Sequence, residues 1–124
     1  MNNIKVLIAD DDPTVCYVAK TYMSSKGYKM YIAYDGEEAM QKMREVGPDI
    51  ILLDIDMPKK TGYEVCEEIK NSDEFNATIV IIVTGDARAI ERSFDLGADD
   101  CYLKPVVWSD LAERITELLE ENDK

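Results

Sequence analysis

The chain has no histidine among its 124 residues. It cannot assemble a Ser-His or Cys-His pair and cannot carry phosphohistidine, so any histidine chemistry has to arrive on a partner. Its three cysteines, Cys16, Cys66 and Cys101, show no CxxC spacing. They indicate neither a zinc site nor a disulfide framework and read as small buried hydrophobes in a reducing compartment. Positive charge is scarce: 14 Lys and Arg stand against 26 Asp and Glu, for a net charge of −12. Such a balance repels phosphate backbones and anionic bilayers, so no direct nucleic-acid or membrane binding is expected. Long apolar runs are missing too. The first stops at Asp10 and the longest later one, Ile79 to Val83, is too short to span a bilayer, which predicts a cytoplasmic protein. The remaining acidity, including Glu120, Glu121 and Asp123 at the end, reads as solvated helix surface.

What is present alternates between two patterns. Ile4 to Ala9, Asp49 to Asp54 and Thr78 to Thr84 are short, β-branched and apolar on both faces, as parallel strands covered on both sides should be. Met30 to Ala33 and Cys101 to Leu103 are weaker strands. Between them, apolar residues recur at helical spacing: Val15, Val18, Ala19, Tyr22 and Met23; Ala39, Met40, Met43 and Val46; Val65, Cys66 and Ile69; Ala89, Ile90 and Phe94; Leu111, Ile115, Leu118 and Leu119. These are expected to be core. Asp12 before Pro13 and Asp35 are natural helix N-caps, while Gly27, Gly47 and Gly97 fall where helices should stop. Five βα units without repeats or linkers predict one domain over residues 1–124, α/β in class, a doubly wound five-stranded parallel sheet with five helices.

In such sheets the functional crevice lies beyond the carboxyl ends of the strands. Asp10 and Asp11 follow the first apolar strand, where a dinucleotide-binding chain would carry Gly-x-Gly-x-x-Gly. Asp54 ends the third strand, Thr84 follows the fourth and Lys104 the fifth. Three carboxylates converging in a partly dry crevice require a cation, and Mg2+, which takes one or two carboxylates with waters and a phosphate oxygen, fits best; Mn2+ is the substitute. A carboxylate flanked by metal, ammonium and hydroxyl is arranged as a nucleophile toward phosphorus.

Four segments, VLIADDDP (Val6–Pro13), ILLDIDMP (Ile51–Pro58) followed by Gly62, VTG (Val83–Gly85) and GADDCYLKP (Gly97–Pro105), together resemble the receiver domain of two-component response regulators over essentially the whole chain. The resemblance implies a CheY-like, flavodoxin-like fold with strand order 2-1-3-4-5. It implies that Asp54 is the phosphoacceptor, with Lys104 and Thr84 as its catalytic and switch partners. Mg2+ would be held by Asp11, Asp54 and the main-chain carbonyl of Asp56, with Asp10 completing the acidic pocket. A cis peptide before Pro105 is implied as well. So are the partners: a sensor histidine kinase or histidine phosphotransfer protein upstream, and a downstream protein target met by the face of the fourth and fifth helices and fifth strand. The chain would be a switch that catalyses its own phosphotransfer and autodephosphorylation, not an enzyme turning over a small-molecule substrate, and a single domain without an output module is expected, either as a stand-alone regulator or as a fragment of a larger one.

The sequence departs from the family pattern in places. Cys101 occupies the usual aromatic switch position, with Tyr102 one place later. Lys59, Lys60 and Thr61 replace a hydrophobic residue and an acid, and the lysine pair is expected to be solvated. Val107 replaces a polar cap, so the last helix is expected to begin at Ser109. Val106, Val107 and Trp108 form an apolar cluster that either covers core or offers a partner patch. Two other readings compete. Asp10, Asp11 and Asp12 could merely cap a helix, which leaves Lys104 and Thr84 unexplained; or Asp54-Ile55-Asp56 could be the D-x-D of a haloacid dehalogenase-type phosphatase, where small or hydroxyl residues, not Met57-Pro58, should follow.

Overall fold

The computed structural model describes residues 3–122; Asp123 of the acidic end lies outside them. Five strands, β1 (Lys5–Ala9), β2 (Lys29–Ala33), β3 (Ile50–Asp54), β4 (Ile79–Thr84) and β5 (Asp100–Leu103), alternate with five helices. These are α1 (Pro13–Ser25), α2 (Gly36–Val46), α3 (Gly62–Lys70), α4 (Ala89–Asp95) and α5 (Trp108–Asn122). The sheet is parallel throughout, in the order β2-β1-β3-β4-β5. Chain order reverses between β1 and β3, which places a crevice at their carboxyl ends.

The all-apolar strands are explained by where their side chains go. Successive residues point to opposite faces, and both faces are covered. Leu7, Ile51, Leu53, Val80 and Ile82 pack with Ala39, Met40 and Met43 of α2 and Val65, Cys66 and Ile69 of α3. Val6, Ile8, Ile50, Leu52, Ile81 and Val83 pack with Cys16, Ala19 and Met23 of α1 and Leu111, Ile115 and Leu118 of α5. Cys16 and Cys66 are fully buried, as expected of small hydrophobes.

Helix starts follow local chemistry. The Asp12 carboxylate accepts from Thr14 N and Pro13 occupies the first turn; Asp35 accepts from Glu38 N. Thr61 and Glu64 form a reciprocal capping box at α3. The last helix begins at Trp108, one residue before the expected Ser109, because the Val107 carbonyl already accepts from Asp110 N and Leu111 N. Two expected core residues face water: Val18 on α1 and Phe94 on α4, 41% and 46% exposed. On α4 the inward positions are Ala89 and Ser93.

Gly62 marks the tightest approach near the crevice. A Cβ there would lie 2.7 Å from the Ile55 Cα and closer still to the Asp54 carbonyl oxygen. Both are backbone, which cannot swing aside. Gly62→Ala is expected to lower stability by about 1–3 kcal/mol, the usual effect of overpacking, read as a reduced urea midpoint with unchanged slope.

Candidate functional site

Strand pairing brings the carboxyl ends of β1, β3, β4 and β5 side by side, because the register pairs Ala9 with Leu53, Asp54 with Val83, and Thr84 with Leu103. The polar residues that end these strands therefore meet. Asp10, Asp54 and Thr84 are buried, Asp11 is exposed at the mouth, and Lys104 reaches in from one side. Carboxylate oxygens of Asp10, Asp11 and Asp54 lie within 4.8 Å of one another. Neighbouring oxygens around an octahedral Mg2+ are about 3 Å apart and opposite ones about 4.2 Å, so the trio is close enough for side-chain adjustment to gather it on one small hard cation. The Asp56 carboxylate is not among them, and its residue is exposed; the carbonyl expectation concerns its main chain.

Lys104 is the charge that balances the trio. Its Nζ donates to Asp10 Oδ2 at 3.0 Å and to Asp54 Oδ1 at 3.4 Å. Its own backbone is fixed by an N–H to the Thr84 carbonyl at 2.8 Å and by the cis peptide to Pro105. Burial alone would lower the Lys104 pKa, but the two carboxylates outweigh it and hold the ammonium above its ordinary value. Burial, together with repulsion from Asp10, pushes the Asp54 carboxyl up to about 6 despite Lys104. Asp10 is the anchor of the group. Its Oδ1 accepts from Asp12 N at 2.9 Å, and its carbonyl accepts from the Cys16 thiol beneath it. Burial, with Asp10 and Asp12 nearby, lifts that thiol to about 12, which keeps it protonated as a donor.

Thr84 Oγ1 accepts from Asp86 N at 3.1 Å, and Asp86 is clamped by Arg88 through a two-pronged ion pair.

A receiver-domain family model, described as the response regulator receiver domain, matches residues 6–116. This chain belongs to that family. Among solved structures, this receiver domain superposes on a CheY-like response regulator receiver domain protein from Methanospirillum hungatei JF-1 with a TM-score of 0.90 and 30% identity, over 98% of this chain and 97% of that one. It is 38% identical over 120 residues to "Probable transcriptional regulator ycf27" of Guillardia theta, covering 97% of this chain and 47% of that protein. It is 32% identical over 116 residues to transcriptional regulatory protein TrcR of Mycobacterium tuberculosis, covering 94% and 45%. The chain thus spans about half the length of these curated relatives.

Within the receiver fold, β5 settles what replaces the aromatic switch residue. Cys101 packs against the α2–α3 core, whereas Tyr102 packs against the α1–α5 core. Strand alternation therefore denies Tyr102 the Cys101 position. The Lys59-Lys60 pair is not merely solvated: Lys59 lies against Asp35 and Lys60 bonds Glu68. Val106 and Trp108 are half-buried and Val107 is 58% exposed. Val106 and Trp108 join Thr14, Val15, Val18 and Lys104 around a groove of about 450 Å³ beside the crevice. Nothing in the sequence signalled that Asp35 and Gly36 lie against Lys59, Pro58 and Lys60 of the loop that follows Asp54. The sequence reading also missed the Thr61-x-x-Glu64 cap, which was legible as a capping-box pattern.

Proposed function

We propose that this receiver domain is phosphorylated on Asp54 by a partner's phosphohistidine, in the presence of Mg2+ or Mn2+, and signals through protein contact. The observation that carries this reading is the ammonium of Lys104 placed between Asp10 and Asp54 in a crevice where three carboxylate oxygen donors meet. An Asp54 oxygen attacks phosphorus, the N–P bond of the donor breaks, and its electron pair leaves with the imidazole, which takes up a proton. An acyl phosphate remains. When bound, the divalent ion neutralises the carboxylates and the equatorial phosphoryl oxygens. Asp10, Asp11, Asp54 and the Asp56 carbonyl would hold it.

Lys104 is released from Asp54 as the phosphoryl group arrives and binds a phosphoryl oxygen instead. Thr84 turns its hydroxyl to another, giving up its bond from Asp86 N. This biases the β4–α4 connection and, with it, the α4–β5–α5 face toward a downstream protein. The domain thereby serves its own phosphotransfer and autodephosphorylation and is not a turnover enzyme. The donor is a sensor histidine kinase or a histidine phosphotransfer protein in the cytoplasm, and the apolar groove beside Lys104 offers it a seat at the crevice mouth. Among the described residues no helix is long and apolar enough to cross a membrane.

Incubation with acetyl phosphate and Mg2+ followed by intact-mass measurement tests the proposal. One phosphoryl adduct is expected with Mg2+, none with EDTA, and its peptide should contain the end of β3. Absence of the adduct on the wild-type chain refutes the reading. Sustained hydrolysis of a generic phosphomonoester would point to the phosphatase alternative instead.

A further inference from the structure

The loop from Ile55 to Thr61 carries the chain away from Asp54, and no strand pairs with it. It is held from the side by the first residues of α2. Gly36 N donates to the Pro58 carbonyl at 3.4 Å, and Lys59 Nζ lies 3.6 Å from Asp35 Oδ2. A Cβ on Gly36 would sit 2.7 Å from the Lys60 carbonyl carbon, and nearer to its oxygen. Only glycine lets the helix start come this close. Lys59 itself has φ of +71°, the one non-glycine residue with positive φ among those described. Such a conformation is unfavourable for a residue with a Cβ and persists only where the surroundings over-determine it. The surroundings here are the Asp35 carboxylate, the Gly36 N–H, the Lys60 N–H on the Pro58 carbonyl, and the buried side chains of Ile55 and Met57.

Asp35 does two things at once. Its Oδ1 caps α2 through Glu38 N at 2.8 Å, and its Oδ2 faces Lys59. The ion pair is solvent-exposed on the lysine side and adds little to global stability. What it fixes is the direction of the loop.

We propose that Asp35, Gly36 and Lys59 form a positioning device that sets the Asp56–Lys59 main chain at the distance from Asp10, Asp11 and Asp54 at which a divalent cation is taken up. The inference rests on the metal-dependent reading above and deepens it. Asp35 and Lys59 act through the loop and touch neither the ion nor the phosphoryl group. Outer residues that orient a metal site commonly change affinity by about tenfold or more when altered.

Four variants test this, with Mg2+ titrations followed by amide shifts of the 15N-labelled chain and with melting curves in EDTA. Gly36→Ala should raise the Mg2+ midpoint by roughly tenfold. Because it could also disturb folding, two milder changes accompany it. Asp35→Asn keeps an equally good cap while removing the charge, and Lys59→Gly relieves the positive φ. Both should raise the Mg2+ midpoint several-fold while the melting temperature of Lys59→Gly holds or rises. Lys59→Arg should restore wild-type binding. Stability and metal affinity moving in opposite directions is a result no purely structural role produces. If Asp35→Asn and Lys59→Gly bind Mg2+ as wild type does, the positioning device is refuted while the phosphoacceptor reading stands. A wild-type chain that takes up no Mg2+ would overturn both.

Discussion

Asp54→Asn is expected to take up no phosphoryl group and yet to melt higher than wild type in EDTA at pH 7. The first half follows from chemistry: an amide offers no anionic oxygen for attack on phosphorus. The second follows from the crevice. Burial and the neighbouring Asp10 carboxylate lift the Asp54 carboxyl from 3.8 to about 6, and Lys104 only partly offsets them. Between those two values the folded state holds a proton that the unfolded chain has released. Protonated Asp54 therefore favours folding fully below about pH 4, and this contribution is lost as pH rises through about 6. At pH 7 the ionised group opposes folding. A shift of about two units, already net of the Lys104 ion pair, corresponds to about 3 kcal/mol, so the variant is expected to gain on the order of 1–3 kcal/mol. Thermal melts from pH 4 to pH 8 would show the advantage growing with pH and closing near pH 4. A gain that is flat across this range, or an adduct that survives the substitution, contradicts the assignment of Asp54.

Lys104→Ala is expected to slow phosphoryl uptake from acetyl phosphate by about 10²- to 10³-fold at saturating Mg2+, the usual effect of removing one preorganised charge partner from a transition state. The same change leaves Asp10 and Asp54 facing each other without a counter-charge. The variant should therefore be less stable than wild type in EDTA and should regain more stability than wild type on adding Mg2+. Lys104→Arg should recover only part of the rate, since a planar fork cannot occupy the place of a compact ammonium between two carboxylates 3.0 and 3.4 Å away. Single-turnover mass spectrometry and paired melts separate the two effects. An unchanged rate in Lys104→Ala would remove the lysine from the chemistry.

The sheet and the crevice were legible because four of the five strands end in, or are followed at once by, a polar residue (Asp10, Asp54, Thr84 and Lys104), and parallel pairing brings such ends together. All five strand starts read from the sequence differ from those observed by one residue: β1, β3 and β4 start one residue after Ile4, Asp49 and Thr78, whereas β2 starts at Lys29 instead of Met30 and β5 at Asp100 instead of Cys101. Charged residues at strand starts make ladder bonds that apolarity cannot reveal. Val18 and Phe94 were misplaced as core for a different reason. On α1 and α4 the apolar residues extend beyond the buried stripe, so spacing alone does not say where burial stops. The site's outer support was not legible at all. Gly36 is distant in sequence from Lys60, and its role depends on a backbone approach that only three-dimensional placement shows. Tyr102 is an intermediate case: the sequence puts it one place after Cys101, and its packing on the opposite face of β5 shows that it does not take that place.

The position of β5 at the border of the sheet gives Lys104 a different vulnerability from the aspartates. Asp10 and Asp54 rise from central strands bounded by neighbours on both sides, whereas β5 pairs with β4 alone. Peeling that one strand and α5 away leaves a four-stranded remnant with its acids in place and their counter-ion gone. Any opening confined to this border would part Lys104 from Asp10 and Asp54 while the strands that carry the two acids stay paired on both sides.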